Sequence, residues 1–494
     1  MYAAVWGAVI SDLRARLVRV EVDVNRGLPA FEIVGRPAQV VRESRDRIRA
    51  AFYNCGLDFP TRRITVNLAP ADFPKAQSFL DLPIAVGILA ATGQIKAEVW
   101  RDCLFVGELS LAGDLEPIPG SVPIALLTAE HGLNLVCPAG NLTEVEAVAG
   151  LRVHAVTDFA GLVCAMNNAA IGWRRTSGRL LPAARSLDPW VAHGIIGGVL
   201  VRRCLTIAAA GAHHLALIGP PGVGKTSLAA VLHSLLPPLG SRERLEVAQL
   251  YSAVGLPVTE VLQGVPPLRK PHHSLTRAGL LGGGVPIRPG ELTLAHRGLL
   301  FMDELPLFQR QVLYALREPL EAKQVVLGRS AKQVVLPAAV QLVCAFNLCP
   351  CGYHHFHPER CTCSQREVAG FLKPVIGPLA DRIDLRLTIA RPLWEEQGVP
   401  GEQFVCSVQE ARAELGRRTG TLRDRLRPEA MKLLRSLVQN RRVSARAYFR
   451  LLSVASTISA LTGSELITVE HVAEACQYRF EISDMIGGEA GAVV

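Results

Sequence analysis

The run Gly219-Pro220-Pro221-Gly222-Val223-Gly224-Lys225-Thr226, followed by Ser227, has the residue types and spacing to hold a polyphosphate. Closely spaced glycines let backbone N–H groups curl around phosphate oxygens, and a helix starting just after them adds the positive end of its dipole. The Lys225 ammonium then reaches the β- and γ-phosphates of ATP, and the Thr226 hydroxyl is a ligand for Mg²⁺. An apolar run, HLALI, precedes the motif and a helix-patterned run follows it, which sets it apart from a chance glycine-rich turn. Downstream, the apolar run GLLFM ends in Asp303-Glu304. Asp303 suits holding Mg²⁺ through water, and Glu304 suits polarising an attacking water. A third apolar run, QLVCAF, ends in Asn347, which fits γ-phosphate sensing, water orientation or a strand-end cap. Hydrolysis also needs positive charge near the γ-phosphate. Arg382 in GPLADRIDL and Arg446 in VSARAYFR are candidates, although each alone also fits a structural ion pair.

Cys349, Cys351, Cys361 and Cys363 form C-x-C-x9-C-x-C directly after Asn347. Two thiolate pairs flanking a short loop can meet tetrahedrally around Zn²⁺, and four thiolates leave no open position for catalysis. Unligated thiols are the alternative, and His354, His355 and His357 are alternative ligands. The other eight of the twelve cysteines are scattered singly through the chain, which suits buried thiols in a reducing cytoplasm. Between the acidic run and Asn347, VVLGRSAKQVVLP reads as a hairpin with Arg329 and Lys332 near its tip. Such a tip, with Arg288 in GLLGGGVPIRPGE, can grip nucleic-acid phosphates or be an ordinary surface hairpin. Residues 411–450 carry twelve Arg/Lys against three acids, an excess equal to the net charge of +9. Charge alone fits either a polyanion partner or a solvated helical surface.

To position these groups the chain has 494 residues, enough for two or three domains. Its 49% hydrophobic and 20% charged content is that of a folded globular protein. No apolar run reaches a membrane-spanning length and no secretory leader is evident, so neither a membrane partner nor export is expected. The pattern predicts an α/β protein: an N-terminal α+β domain over 1–170, a linker over 171–190, a P-loop α/β core over 191–395 and helices over 396–494. Ser444 and Thr468 stand where helix N-caps belong, and the last ten residues are expected to fray.

Taken in order, these blocks resemble the ComM/YifB family of magnesium-chelatase-like AAA+ ATPases. The resemblance is carried by GLPAFEIVGRP (27–37), VNLAPADFPKAQSFLDLPIAVGIL (66–89), IAAAGAHHLALIGPPGVGKT (207–226), KPHHS (270–274), RPGELTLAHRGLLFMDELP (288–306), LREPLE (316–321), CPCG (349–352), GPLADRIDL (377–385) and SARAYFR (444–450). It departs in Leu348, where the family more usually has Pro, in Val223, where Ser is common, and in 196–199, which lack a frequent Gln. The resemblance implies a ring, a homo-hexamer, with an ATP site at each subunit boundary. Arg382 matches the arginine finger inserted from the neighbour and Arg446 the arginine of a C-terminal helical lid. Members are understood as DNA motors that promote branch migration while single-stranded DNA is integrated during natural transformation, in company with recombination proteins. Single-stranded and branched DNA are therefore the implied partners. Residues 66–132 also resemble the Lon-protease fold, but Asp81 lies near the nucleophile position and GSVPIAL (120–126) contains no Lys. Ser78 and Lys75 do not reproduce the catalytic arrangement of Ser activated by Lys, so no peptidase activity is expected.

Overall fold

The computed structural model describes every residue except 74, 97–99, 169, 183–197, 330–331, 377–378, 391–401, 442–444 and 480–494. The expected cap at Ser444, residues 196–197 and the fraying tail fall outside the described residues.

Two compact units emerge. The first comprises 1–183 with 240–265 and 284–288, and the second comprises the rest. An eight-stranded sheet organises the first unit, in the spatial order Arg174–Ser177, Ala149–Val156, Asn134–Pro138, Cys103–Phe105, Tyr2–Ser11, Arg14–Asn25, Arg63–Ala69, Ala30–Val34. Tyr2–Ser11 and Arg14–Asn25 form an antiparallel hairpin, turned by Asp12 and Leu13 at φ 53° and 63°. Two central residues with positive φ match the right-handed twist of the flanking strands. Val18, Val20, Val22 and Val24 alternate onto the buried face, as a period of two requires. Helix Asp81–Ala91 is buried along nearly its whole length.

Asp81 is fully buried, its two carboxylate oxygens bound by Arg47 at 2.6 and 3.0 Å. Ser78 donates to Glu108, while Lys75 is buried and donates to the carbonyls of Pro70 and Phe73. Each of these groups is therefore engaged by a partner other than a Ser–Lys pair.

Two features differ from the sequence pattern. Arg174–Ser177, within the expected linker, pairs antiparallel with Ala149–Val156. This edge strand lacks apolar alternation because Thr176 anchors it, its hydroxyl accepting from the Leu151 N–H at 2.9 Å and donating to the Val148 carbonyl. Helix Ser241–Ala253 lies between two nucleotide-motif segments in sequence, yet it clusters with the first unit. Its Ser252 Oγ accepts from the Val122 N–H at 3.3 Å.

The second unit is built on a five-stranded parallel sheet in the order Leu268–Arg269, Leu299–Met302, Gln341–Phe346, Leu215–Ile218, Leu385–Thr388. All strands but the Leu268–Arg269 edge are buried throughout, which explains the uninterrupted apolar runs of Leu215–Ile218 and Leu299–Met302, whereas Gln341, Arg386 and Thr388 are polar groups buried within the other two. The first strand in sequence thus lies between the last two, so loops at its carboxyl end open into the crevice where ligands bind in such sheets.

The C-terminal helices Glu402–Arg417, Pro428–Arg441, Ala445–Leu461 and Val469–Gln477 belong to this same unit. Leu434, Leu451 and Ile458 share one apolar cluster with Leu217, Phe301 and Val343 of the sheet. Part of the basic block is occupied there. Arg412 donates twice to the Ala209 carbonyl, at 2.7 and 3.0 Å, capping helix Val199–Gly211. Arg418 reaches the Ser456 carbonyl inside helix Ala445–Leu461 at 3.0 Å and the Ser464 carbonyl in the turn beyond it at 2.8 Å. Arg423 lies over the rings of Tyr448 and Phe449. These three arginines therefore satisfy backbone carbonyls and aromatic faces, while Arg417, Arg427, Lys432 and Arg435 are exposed. Among the described residues no helix is long and apolar enough to cross a membrane.

Candidate functional site

Ile218 ends a buried strand, and the chain then turns through Gly219 to Gly224 into helix Lys225–Leu235. A Cβ at Gly219 would sit 2.4 Å from the Ile389 carbonyl oxygen, so no side chain fits. Gly224 caps the helix at φ 92°, a left-handed conformation that glycine adopts freely. Val223 is buried in the core of this unit.

Lys225 Nζ donates to the carbonyls of Gly219 and Pro220 and to Asn347 Oδ1, each at 2.8 Å. The Thr226 hydroxyl donates to Asp303 Oδ2 at 2.9 Å, and Asp303 Oδ1 accepts from the Glu304 N–H at 3.0 Å. Three adjacent parallel strands thus lead into two neighbouring hydrogen-bonded pairs, Lys225 with Asn347 and Thr226 with Asp303. This donor set fits the groups expected of it. A hydroxyl beside a carboxylate suits Mg²⁺, and a lysine inside a glycine-rich turn suits phosphate.

Glu304 adopts φ 52° and ψ 46°. A non-glycine residue held there carries strain of about 1–3 kcal/mol, a recurrent feature of active sites. The His273 ring nitrogen lies 3.7 Å from its carboxylate, and His272 stacks against His273 with ring centroids 4.0 Å apart. The role of His273 was not assigned from sequence; its only signal was the KPHHS block.

Burial lowers the Lys225 pKa from 10.5 to about 8, against the raising influence of Asp303 and Glu304. Folding therefore releases a proton between pH 8 and 10.5, and this group's contribution to stability rises with pH across that window. Phosphate binding favours the opposite state. Triphosphate affinity of the protein is expected to fall up to about tenfold per pH unit above 8, measured with a fluorescent ATP analogue. An affinity flat from pH 7 to 9.5 would remove Lys225 from the phosphate site.

Arg382 and Arg446 meet in a second cluster. Arg382 is buried and donates to the Arg317 carbonyl at 3.1 Å. Its guanidinium lies 3.0 Å from Glu321 Oε1, and that of the exposed Arg446 lies 3.6 Å from the same oxygen. Arg450, one helical turn beyond Arg446, donates to the Arg382 carbonyl at 2.7 Å and pairs with Asp384. Asp384 in turn accepts from the His214 N–H at 2.8 Å. Burial pushes His214 down to about 4, so its neutral ring can accept from the Leu342 N–H at 3.0 Å. Glu321, Arg450 and Asp384 lie inside sequence blocks quoted above, yet no spacing rule links them.

The four cysteine sulfurs lie within 4.8 Å of one another and could bind a metal ion. His354 Nδ1 stands 4.0 Å from Cys361 Sγ, while His357 faces Glu359 at 3.4 Å. Strands Gln324–Arg329 and Lys332–Pro337 form the expected hairpin, with Arg329 opposite Lys332. Residues 330–331 at its tip lie outside the described residues. Val326 and Val335, paired across the hairpin, are exposed, whereas Val325 and Leu336 are buried. Arg288 is exposed, in the short segment that clusters with the first unit.

Comparison with known proteins adds three family matches and several relatives. The magnesium chelatase subunit ChlI family matches residues 192–397, a second ChlI region matches 20–141, and the ChlI C-terminal family matches 405–479. The YifB protein of Escherichia coli K12 is 37% identical over 479 residues, covering 94% of each chain. YifB of Salmonella typhimurium is 37% identical over 483 residues, with the same coverage. The competence protein ComM of Haemophilus influenzae is 36% identical over 504 residues, covering 97% of each chain.

Proposed function

The chain belongs to the ComM/YifB family of magnesium-chelatase-like proteins, and from that premise we propose that it is an ATP-driven DNA motor. It acts as a branch-migration helicase that promotes integration of single-stranded DNA during natural transformation and homologous recombination. The observation that carries the reading is the pairing of the consecutive residues Lys225 and Thr226 with Asn347 and Asp303, which end two neighbouring strands.

In the proposed reaction, ATP and water give ADP and phosphate. Lys225 binds the β- and γ-phosphates, with Gly219 to Ser227 wrapping around them. Thr226 and Asp303 hold Mg²⁺, which supplies neutralisation of phosphate charge. Glu304 accepts the proton of the attacking water, Asn347 orients that water, and Arg382 from a neighbouring subunit neutralises the charge that develops. Arg446 contributes from the C-terminal helices, which act as the lid. The assembly is a homo-hexameric ring in the cytoplasm, with Arg288, Arg329 and Lys332 gripping DNA phosphates and Zn²⁺ held by the four cysteines. The first unit, Lon-like and without a protease dyad, aids assembly or guides DNA.

Support for DNA as the substrate comes from the competence label of the Haemophilus relative and the paired basic residues of the hairpin. The test is ATP turnover with and without single-stranded and branched DNA, together with particle mass and movement of a labelled junction. Stimulation by DNA, abolished roughly 100-fold or more by Lys225→Ala, is the expected result. The match to the magnesium chelatase subunit favours a second reading, a motor that remodels a protein partner. ATP turnover unaffected by any DNA, with no DNA binding at low salt, would replace the first reading by the second.

A further inference from the structure

The loop from Cys349 to Cys363 has almost no regular structure, only a three-residue helical turn at Pro358–Arg360. Within it, Cys349 Sγ lies 3.2 Å from Cys351 Sγ and 3.9 Å from Cys361 Sγ, and the latter two are 3.6 Å apart. A disulfide brings its sulfurs to about 2.05 Å. Four thiolates at about 2.3 Å from a zinc ion lie about 3.8 Å from each other, close to the separations observed. Cys349 Sγ also accepts N–H bonds from Gly352 at 3.2 Å and His354 at 3.4 Å, donors that favour the thiolate that a metal requires.

The same loop touches the nucleotide site at two points. Asn347, which accepts from Lys225, is separated from Cys349 only by the buried Leu348. Gly352, at φ 86° between the second cysteine and the histidines, faces the phosphate loop. A Cβ there would meet Pro221 Cδ at 2.6 Å and Asn347 Nδ2 at 3.3 Å.

We infer that the four cysteines hold one zinc ion whose binding braces Pro221 and Asn347 against Lys225, making the metal a positioning cofactor of nucleotide hydrolysis. The consequence for turnover rests on the ATPase reading above; the metal assignment rests on sulfur geometry alone. A loop of this length with no apolar core of its own depends on such a crosslink for a fixed shape. Shifts of about 1 Å at groups orienting a reaction can cost up to about 100-fold in rate.

The full-length protein tests this in two steps. Its metal content is measured by mass spectrometry, and Co²⁺ is exchanged for the native metal. One zinc per chain, and the visible absorption bands of tetrahedral thiolate-bound Co²⁺, are expected. Cys361→Ser should lose both. Gly352→Ala, which keeps all four thiols, should retain zinc and a cooperative melting transition, lowered by the strain of alanine at φ 86°, while kcat measured well below that transition falls about 10- to 100-fold. The fall should exceed any rise in KM. Protein that carries no zinc yet turns over ATP, or a zinc-loaded Gly352→Ala that works at the normal rate, overturns the inference. Zinc bound to a wild-type protein that hydrolyses no ATP supports the metal assignment and sinks the ATPase reading instead.

Discussion

Replacing Arg382 by alanine is expected to lower ATP turnover about 10³-fold or more, the range in which an arginine finger acts. On the role proposed above, the physical reason would be the loss of a cation placed where negative charge accumulates during γ-phosphate transfer. Within its own chain Arg382 is held by the Arg317 carbonyl and Glu321, so its side chain is already oriented before any neighbour arrives. Service in trans makes a sharper test available. Arg382→Ala and Lys225→Ala subunits should each be nearly inactive alone, yet recover activity when mixed. In an equal random mixture about a quarter of subunit boundaries carry both intact groups. Mixed rings that stay silent would place Arg382 in the site of its own subunit. A variant within a few-fold of the wild-type rate would reduce Arg382 to the ion pair with Glu321.

Glu304→Gln carries the second largest expected effect, a loss of about 10²–10⁴-fold in turnover with nucleotide binding retained. The substitution preserves size and hydrogen-bonding reach while removing the carboxylate that accepts a proton. It leaves intact the contacts of Lys225, Thr226, Asp303 and Asn347, so ATP affinity should change little. Junction movement should stop in parallel with hydrolysis. Single-turnover hydrolysis at the normal rate would show that the proton goes elsewhere, and His273, 3.7 Å from the same carboxylate, would be the group to examine next.

How much of this could be read from residues alone depends on the range of the interaction. The phosphate loop was legible because its constraints are local: left-handed backbone at Gly222 and Gly224, an apolar strand before and a helix after. Asp303, Glu304 and Asn347 were legible because each follows a run of residues buried on both faces, which marks where a central strand ends. The four cysteines were legible as a spacing, and the structure adds that their sulfurs converge. Glu321 as the meeting point of Arg382 and Arg446, and His273 beside Glu304, join residues far apart in sequence. Neither follows from periodicity or composition. The basic stretch left two readings open for a related reason. Counting charge does not reveal that Arg412 and Arg418 turn inward to bind backbone carbonyls, because those carbonyls lie in segments remote in sequence. The affiliation of Ser241–Ala253 with the first unit is similarly hidden, since its own pattern specifies a helix but not the surface that receives it.

Arg450 gives the C-terminal helices mechanical leverage. Its guanidinium is bolted to the backbone that carries Arg382 and, through Asp384, to the residue that leads into the phosphate-loop strand. A helix that leans as nucleotide enters or leaves must therefore drag the arginine-bearing turn along with it. In the ring proposed above, one subunit's occupancy would in this way become a displacement presented to the next, and firing would pass around it without any messenger beyond this rigid linkage.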